Sequence, residues 1–109
     1  MSIKVVHKNK VHDHVYCGRG SPLGNPFHML EEKNRDKVCD QYHNWFYSKI
    51  DKANWDTNPN PNKETLFLRK LFLKAQRGNL NLGCFCAPKR CHCDTIKTFL
   101  ENKLKELDK

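Results

Sequence analysis

The chain has 109 residues, with 20 Lys and Arg against 12 Asp and Glu, a formal charge of +8 when the six histidines are neutral. Its 38% hydrophobic content is below the roughly 45–50% of an average globular domain, although that average also counts glycine. The length suits one domain and leaves no room for a second core. No apolar run nears the ~20 residues of a membrane span, and Met1-Ser-Ile-Lys lacks the apolar stretch of a signal peptide, so a cytoplasmic protein is expected.

In chain order, residues 3–17 are rich in β-branched side chains (Ile3, Val5, Val6, Val11, Val15) and suggest two short strands with a polar turn near Asn9-Lys10. Residues 18–27, Gly-Arg-Gly-Ser-Pro-Leu-Gly-Asn-Pro-Phe, hold three glycines and two prolines and form an ordered loop. Residues 35–50 predict a helix: Val38, Tyr42, Trp45 and Phe46 share one face, and Asn34 is placed to cap its start. Residues 51–62 are polar and end in Asn58-Pro-Asn-Pro-Asn, which predicts a flexible surface loop. Residues 63–77 predict a second helix, capped by Asn62, stopped by Gly78, and buried along Leu68, Leu71, Phe72 and Ala75.

Residues 80–86 predict a strand with Leu80, Leu82 and Cys84 on one side. After a turn over 87–93, Asp94 is expected to cap a final helix with Ile96, Phe99, Leu100, Leu104 and Leu107 on its apolar face. The expected fold is α/β or α+β: a small mixed sheet of about three strands covered by three helices in a single domain, 1–109. If segments 11–17 and 80–86 pair in parallel, both special loops leave the carboxyl ends of neighbouring strands, where open α/β sheets bind ligands.

Four of the six cysteines lie within ten residues, in Cys84-Phe-Cys86-Ala-Pro-Lys-Arg-Cys91-His92-Cys93-Asp94. In a reducing compartment such crowding points to a metal site or reactive thiols rather than disulfides. Thiolates and imidazole are the usual ligands of tetrahedral zinc, but the spacing is not that of a C-x2-C ribbon. Two further roles compete with metal binding: Cys84 as a small core residue, and Cys91 beside His92 as a nucleophile activated at a helix N-terminus. Cys84 and Arg90 also have the C-x5-R spacing of a cysteine phosphatase loop, but Pro88 and the lack of glycine between them disfavour it.

In the glycine–proline loop, Arg19, Ser21 and Asn25 offer a guanidinium, a hydroxyl and an amide beside backbone that glycine allows to approach a ligand closely. The competing role is that of a loop that only seals the end of the sheet. No Walker or G-x-G-x-x-G pattern is present. Lys70, Lys74 and Arg77 on the second helix, with Lys89 and Arg90 by the cysteine turn, could track phosphates. Basic helix faces are more often merely solvated. His12-x-His14 is more often a surface pair than a metal site.

With its Gly18-Arg19…Pro22-Leu-Gly-Asn-Pro-Phe27 loop and its Cys84-x-Cys86-x-Pro88…Cys91-His92-x-Asp94 segment, the chain resembles an uncharacterised family of small phage and bacterial proteins, a domain of unknown function. The likeness runs from about Val15 to the last helix. It implies that Arg19, Asn25, Cys84, Cys86, Cys91, His92 and Asp94 belong to a shared pattern, and it transfers no activity. Cys93 stands where the family usually has a small residue, so the resemblance favours Cys84, Cys86, Cys91 and His92 as zinc ligands.

The leading expectation is a basic, phage-type α/β protein that binds or processes nucleic acid or nucleotides. In it Arg19, Ser21 and Asn25 hold the ligand, Arg19 and Asp94 are the catalytic candidates, and zinc sits in the cysteine cluster. The alternatives are a non-catalytic module that binds a host protein, with the cluster as a staple, and a metal-independent enzyme acting on nucleotides.

Overall fold

The computed structural model describes residues 2–7, 9, 13–18, 20–27, 32–50, 55–84 and 91–107. Three strands, β1 (Ser2–His7), β2 (Val15–Tyr16) and β3 (Asn79–Cys84), join three helices, α1 (Arg35–Lys49), α2 (Lys63–Arg77) and α3 (Cys93–Leu107). The sheet order is β1-β3-β2. Both pairings are parallel, with Ser2 opposite Asn79 through His7 opposite Cys84, and Val15 opposite Leu82. The sheet was expected to be mixed, but β1 and β2 do not pair with each other; β3 lies between them, and the described ladders are all parallel. β3 is therefore covered on both faces, and Leu80, Leu82, Gly83 and Cys84 are all buried, as is usual for a central strand of a parallel sheet.

Local chemistry accounts for the element ends. The Thr65 N–H donates to Asn62 Oδ1 (2.8 Å) and caps α2, while Asn62 Nδ2 donates to the Lys49 carbonyl (2.9 Å) and ties the end of α1 to the start of α2. Asn34 makes no such cap. A 3-10 turn over Glu32–Asn34 leads into α1 instead. In α3, Asp94 is already inside the helix, and its Oδ2 accepts the Cys91 N–H (3.1 Å) from the turn before. This is the backward-reaching half of a capping box rather than the N-cap expected.

Tyr42, Phe46, Leu68, Leu71, Leu80, Leu82, Ile96 and Leu100 are fully or almost fully buried. Ring contacts knit the helices together: Phe46 on Phe99 (5.6 Å), and Trp55 on Phe99 (5.4 Å) and Phe72 (5.0 Å), all near edge-on, a geometry that aromatic pairs favour. Leu107, expected on the buried face of α3, is 58% exposed, because the helix runs past the core in its last turn.

The polar stretch after α1 carries an unforeseen anchor. Trp55 is buried, and Arg69 clamps the backbone beyond it, its Nε donating to the Trp55 carbonyl (2.6 Å) and its Nη2 to the Asn58 carbonyl (2.8 Å). Among the described residues, no helix is long and apolar enough to cross a membrane.

Candidate metal centre

The carboxyl ends of β2 and β3 and the first turn of α3 converge. One residue past β2, the Cys17 N–H donates to the Gly83 carbonyl (3.0 Å), so the β2–β3 register extends by one step and sets Cys17 opposite Cys84. Cys91 and Cys93 enter from the start of α3. The sulfurs of Cys84, Cys91 and Cys93 all lie within 4.8 Å of one another, and all three residues are buried. Cys84 Sγ and Cys91 Sγ are 3.2 Å apart, well beyond a disulfide bond of about 2.05 Å.

This trio can coordinate a metal ion. With Zn–S bonds of about 2.3 Å, tetrahedral geometry puts neighbouring sulfurs about 3.8 Å apart, so changes of no more than about 1 Å in these separations fit the thiols around an ion. Soft sulfur donors suit zinc, Cu(I) or iron–sulfur chemistry. Hydrogen bonds to Cys17, Cys84 and Cys91, and then burial, push the Cys93 thiol well above its ordinary range. Cys91 is also pushed up, chiefly by its hydrogen bond with Cys84 and then by burial, against the lowering pull of Cys93. Without a metal these groups hold their protons; an ion displaces them and stabilises the thiolates instead.

His92 is buried beside the trio. Its Nε2 is 2.5 Å from the Cys17 carbonyl oxygen. A carbonyl only accepts, so Nε2 carries a proton and is not a donor atom for a metal in this arrangement. The imidazole also stands edge-on to the Tyr42 ring (5.1 Å), and Nε2 lies 3.7 Å from Cys93 Sγ. His92 therefore links β2 to α3 beside the sulfurs. Cys39, on α1, is buried in the core but belongs to no such group.

The glycine–proline loop is fastened to this centre. Gly18 follows Cys17, and a Cβ there would collide with the Tyr16 ring. Ser21 Oγ donates to the Gly18 carbonyl (2.7 Å); Asn25 Oδ1 accepts the Phe27 N–H (2.8 Å). Gly20 has φ +91°, a conformation that glycine adopts without strain. Leu23 is fully buried, and its carbonyl accepts the Tyr42 hydroxyl (2.7 Å). Two of the three candidate ligand-holding side chains, Ser21 and Asn25, thus shape the loop itself.

Of the expected metal set, Cys84 and Cys91 are brought together. Cys93 joins them, although the family pattern favours His92 in its place. Arg19, Cys86, Lys89, Arg90 and His12 lie outside the described residues. Asp94 holds the backbone of Cys91. Lys70, Lys74 and Arg77 are exposed on α2, but Arg77 precedes the amino end of β3, whereas Cys84 is at the carboxyl end, about 16 Å away along a six-residue strand. Cys17, one step past β2 and opposite Cys84, was not singled out from the sequence. Its signal was the placing of a cysteine at the same step as Cys84 on a neighbouring parallel strand.

A family model described as a domain of unknown function (DUF4326) matches residues 3–102. No curated protein and no solved structure matches the chain.

Proposed function

The chain belongs to the DUF4326 family, a membership that brings no activity with it, and we propose from its own geometry that it is a cytoplasmic, nucleic-acid-binding domain built around a zinc–thiolate centre. The observation that carries this reading is the buried trio of Cys84, Cys91 and Cys93 at the carboxyl end of a parallel sheet, the end at which open α/β folds take ligands. Zinc there would hold the sheet to α3 and keep the adjoining loop in shape. Arg19, set between Gly18 and Gly20 in that loop, would meet a phosphate, and the formal charge of +8 would draw in a polyanion.

A strand of nucleic acid suits the charge layout better than a mononucleotide. Lys70, Lys74 and Arg77 run along an exposed face of α2 toward the far end of β3. Phosphates spaced about 3.4 Å along a duplex axis reach across the ~16 Å between the two ends in about five steps. A second reading, a protein-binding module with the metal as a staple, is favoured by the internal hydrogen bonds of Ser21 and Asn25.

Elemental mass spectrometry on protein purified without added zinc should find about one zinc per chain. Fluorescence anisotropy should show DNA or RNA binding that weakens steeply with salt and weakens in Arg19→Ala at unchanged fold. Absence of metal would overturn the zinc centre, and absence of binding at low salt would leave the protein-binding module.

A further inference from the structure

We infer that Cys17 is the fourth ligand of this centre, so that Cys17, Cys84, Cys91 and Cys93 form a closed four-thiolate site linking the exits of β2 and β3 to the start of α3. The inference rests on the metal reading above and goes beyond the trio in naming the residue that completes it.

Three observations carry it. Cys17 is fully buried, and its backbone bond to Gly83 fixes it beside Cys84. Side chains at the same step of neighbouring parallel strands project from the same face of the sheet. The His92 Nε2 that bonds the Cys17 carbonyl also lies 3.7 Å from Cys93 Sγ, which brings the Cys17 residue up to the side of the trio. Finally, among the described residues the Cys17 thiol has one weak competing contact, to the Val15 carbonyl at 3.5 Å.

Cys17 stands outside the mutually close trio, so its thiol must swing in to reach an ion held there. Coordination replaces its S–H contact to Val15 with a metal–sulfur bond and releases the proton. His92 supports this placement: its N–H on the Cys17 carbonyl holds that residue's backbone against α3. It also leaves Nε2 unable to take the fourth position.

The consequence is chemical. Four protein ligands leave no place for water, so the ion organises structure and does not activate a nucleophile. Cys17 is also the residue immediately before Gly18, so the metal directly anchors the root of the Arg19 loop. The rival fourth ligands are Cys86 and His92 through Nδ1, since a histidine that donates one ring N–H to a carbonyl can still bind metal through the other nitrogen.

X-ray absorption at the zinc edge on the zinc-loaded full chain counts the sulfurs. Four sulfurs are expected in the wild type and in Cys86→Ser. Cys17→Ser should show three sulfurs and one nitrogen or oxygen, with zinc affinity lowered by more than the 10–100-fold typical of losing an outer-sphere partner. Three sulfurs in the wild type, or a fall from four to three in Cys86→Ser, would overturn the inference, and neither outcome needs Cys17→Ser to fold. A chain that takes up no zinc would instead fail at the earlier step, the metal reading itself.

Discussion

Tyr42→Phe tests how the loop is attached to the core. The substitution removes one oxygen and keeps the ring, with its contacts to His92 (5.1 Å), Trp45 (5.4 Å) and Phe46 (6.1 Å). What disappears is the hydroxyl's bond to the Leu23 carbonyl (2.7 Å), in a fully buried setting. A neutral hydrogen bond contributes about 1 kcal/mol net, and a buried carbonyl left without a donor costs about 1–3 kcal/mol. The expected loss is therefore about 1.5–3 kcal/mol. At about 4 °C per kcal/mol for a domain of this size, Tm should fall by about 6–12 °C in thermal melts followed by circular dichroism at fixed metal loading. Hydrogen exchange should speed up at the Gly24 amide, whose bond to the Ser21 carbonyl depends on the same loop. A Tm within about 2 °C of wild type, with loop exchange unchanged, would refute the assignment of this bond as the loop's tether.

Trp55→Ala removes a ring held between Phe72 and Phe99 and should cost about 3–5 kcal/mol, read by urea denaturation; a loss under 1 kcal/mol would mean the anchor is not used. Removing metal with a chelator should lower Tm, and returning zinc at 1,000 times its Kd should restore about 4 kcal/mol. In the chelated protein the raised thiols of Cys91 and Cys93 stabilise the fold only while protonated. Their contribution should be complete below about pH 8.5, the ordinary thiol value, and fall as pH rises above it, as a pH series of melts would show. Burial, reinforced by the nearby sulfurs of Cys93, Cys17 and Cys91, also pushes the Tyr42 hydroxyl up, so a further loss should begin above about pH 10 and shrink in Tyr42→Phe. Asp94→Ala removes the acceptor of the Cys91 N–H and should weaken zinc affinity by about 10–100-fold, as expected when a partner that orients a ligand is lost; competition with a chromogenic chelator would measure it.

What was legible in the sequence was mostly what neighbours in the chain decide. The bounds of α2 follow from the Asn62 cap and the Gly78 stop, and the inward side of β3 follows from the alternation of Leu80, Leu82 and Cys84. The apolar faces of α1 and α3 show in their period, apart from Leu107, which the helix carries beyond the core. The misses are non-local. Nothing near Cys17 reveals that it faces Cys84, because that depends on a parallel register between strands more than sixty residues apart. Trp55 sits among polar residues, and only the rings of Phe72 and Phe99, brought in by two separate helices, give it a place in the core. Cys93 was set aside because the family usually has a small residue at that position; at the start of α3 it nonetheless meets Cys84 and Cys91.

The order β1-β3-β2 also has a consequence for biosynthesis. Ser2 pairs with Asn79 and His7 with Cys84, so the first of the three described strands waits for the last to be made. Sheets built from such distant partners form slowly and leave unpaired edges in the meantime. During that interval α1 and α2 are already translated and have local bonds to make, while β1 and β2 have no partner. The cysteines at the start of α3 emerge later still. An ion bound among them would arrive when the topology is essentially complete, and would act as a latch closed at the end of folding rather than as a nucleus that starts it.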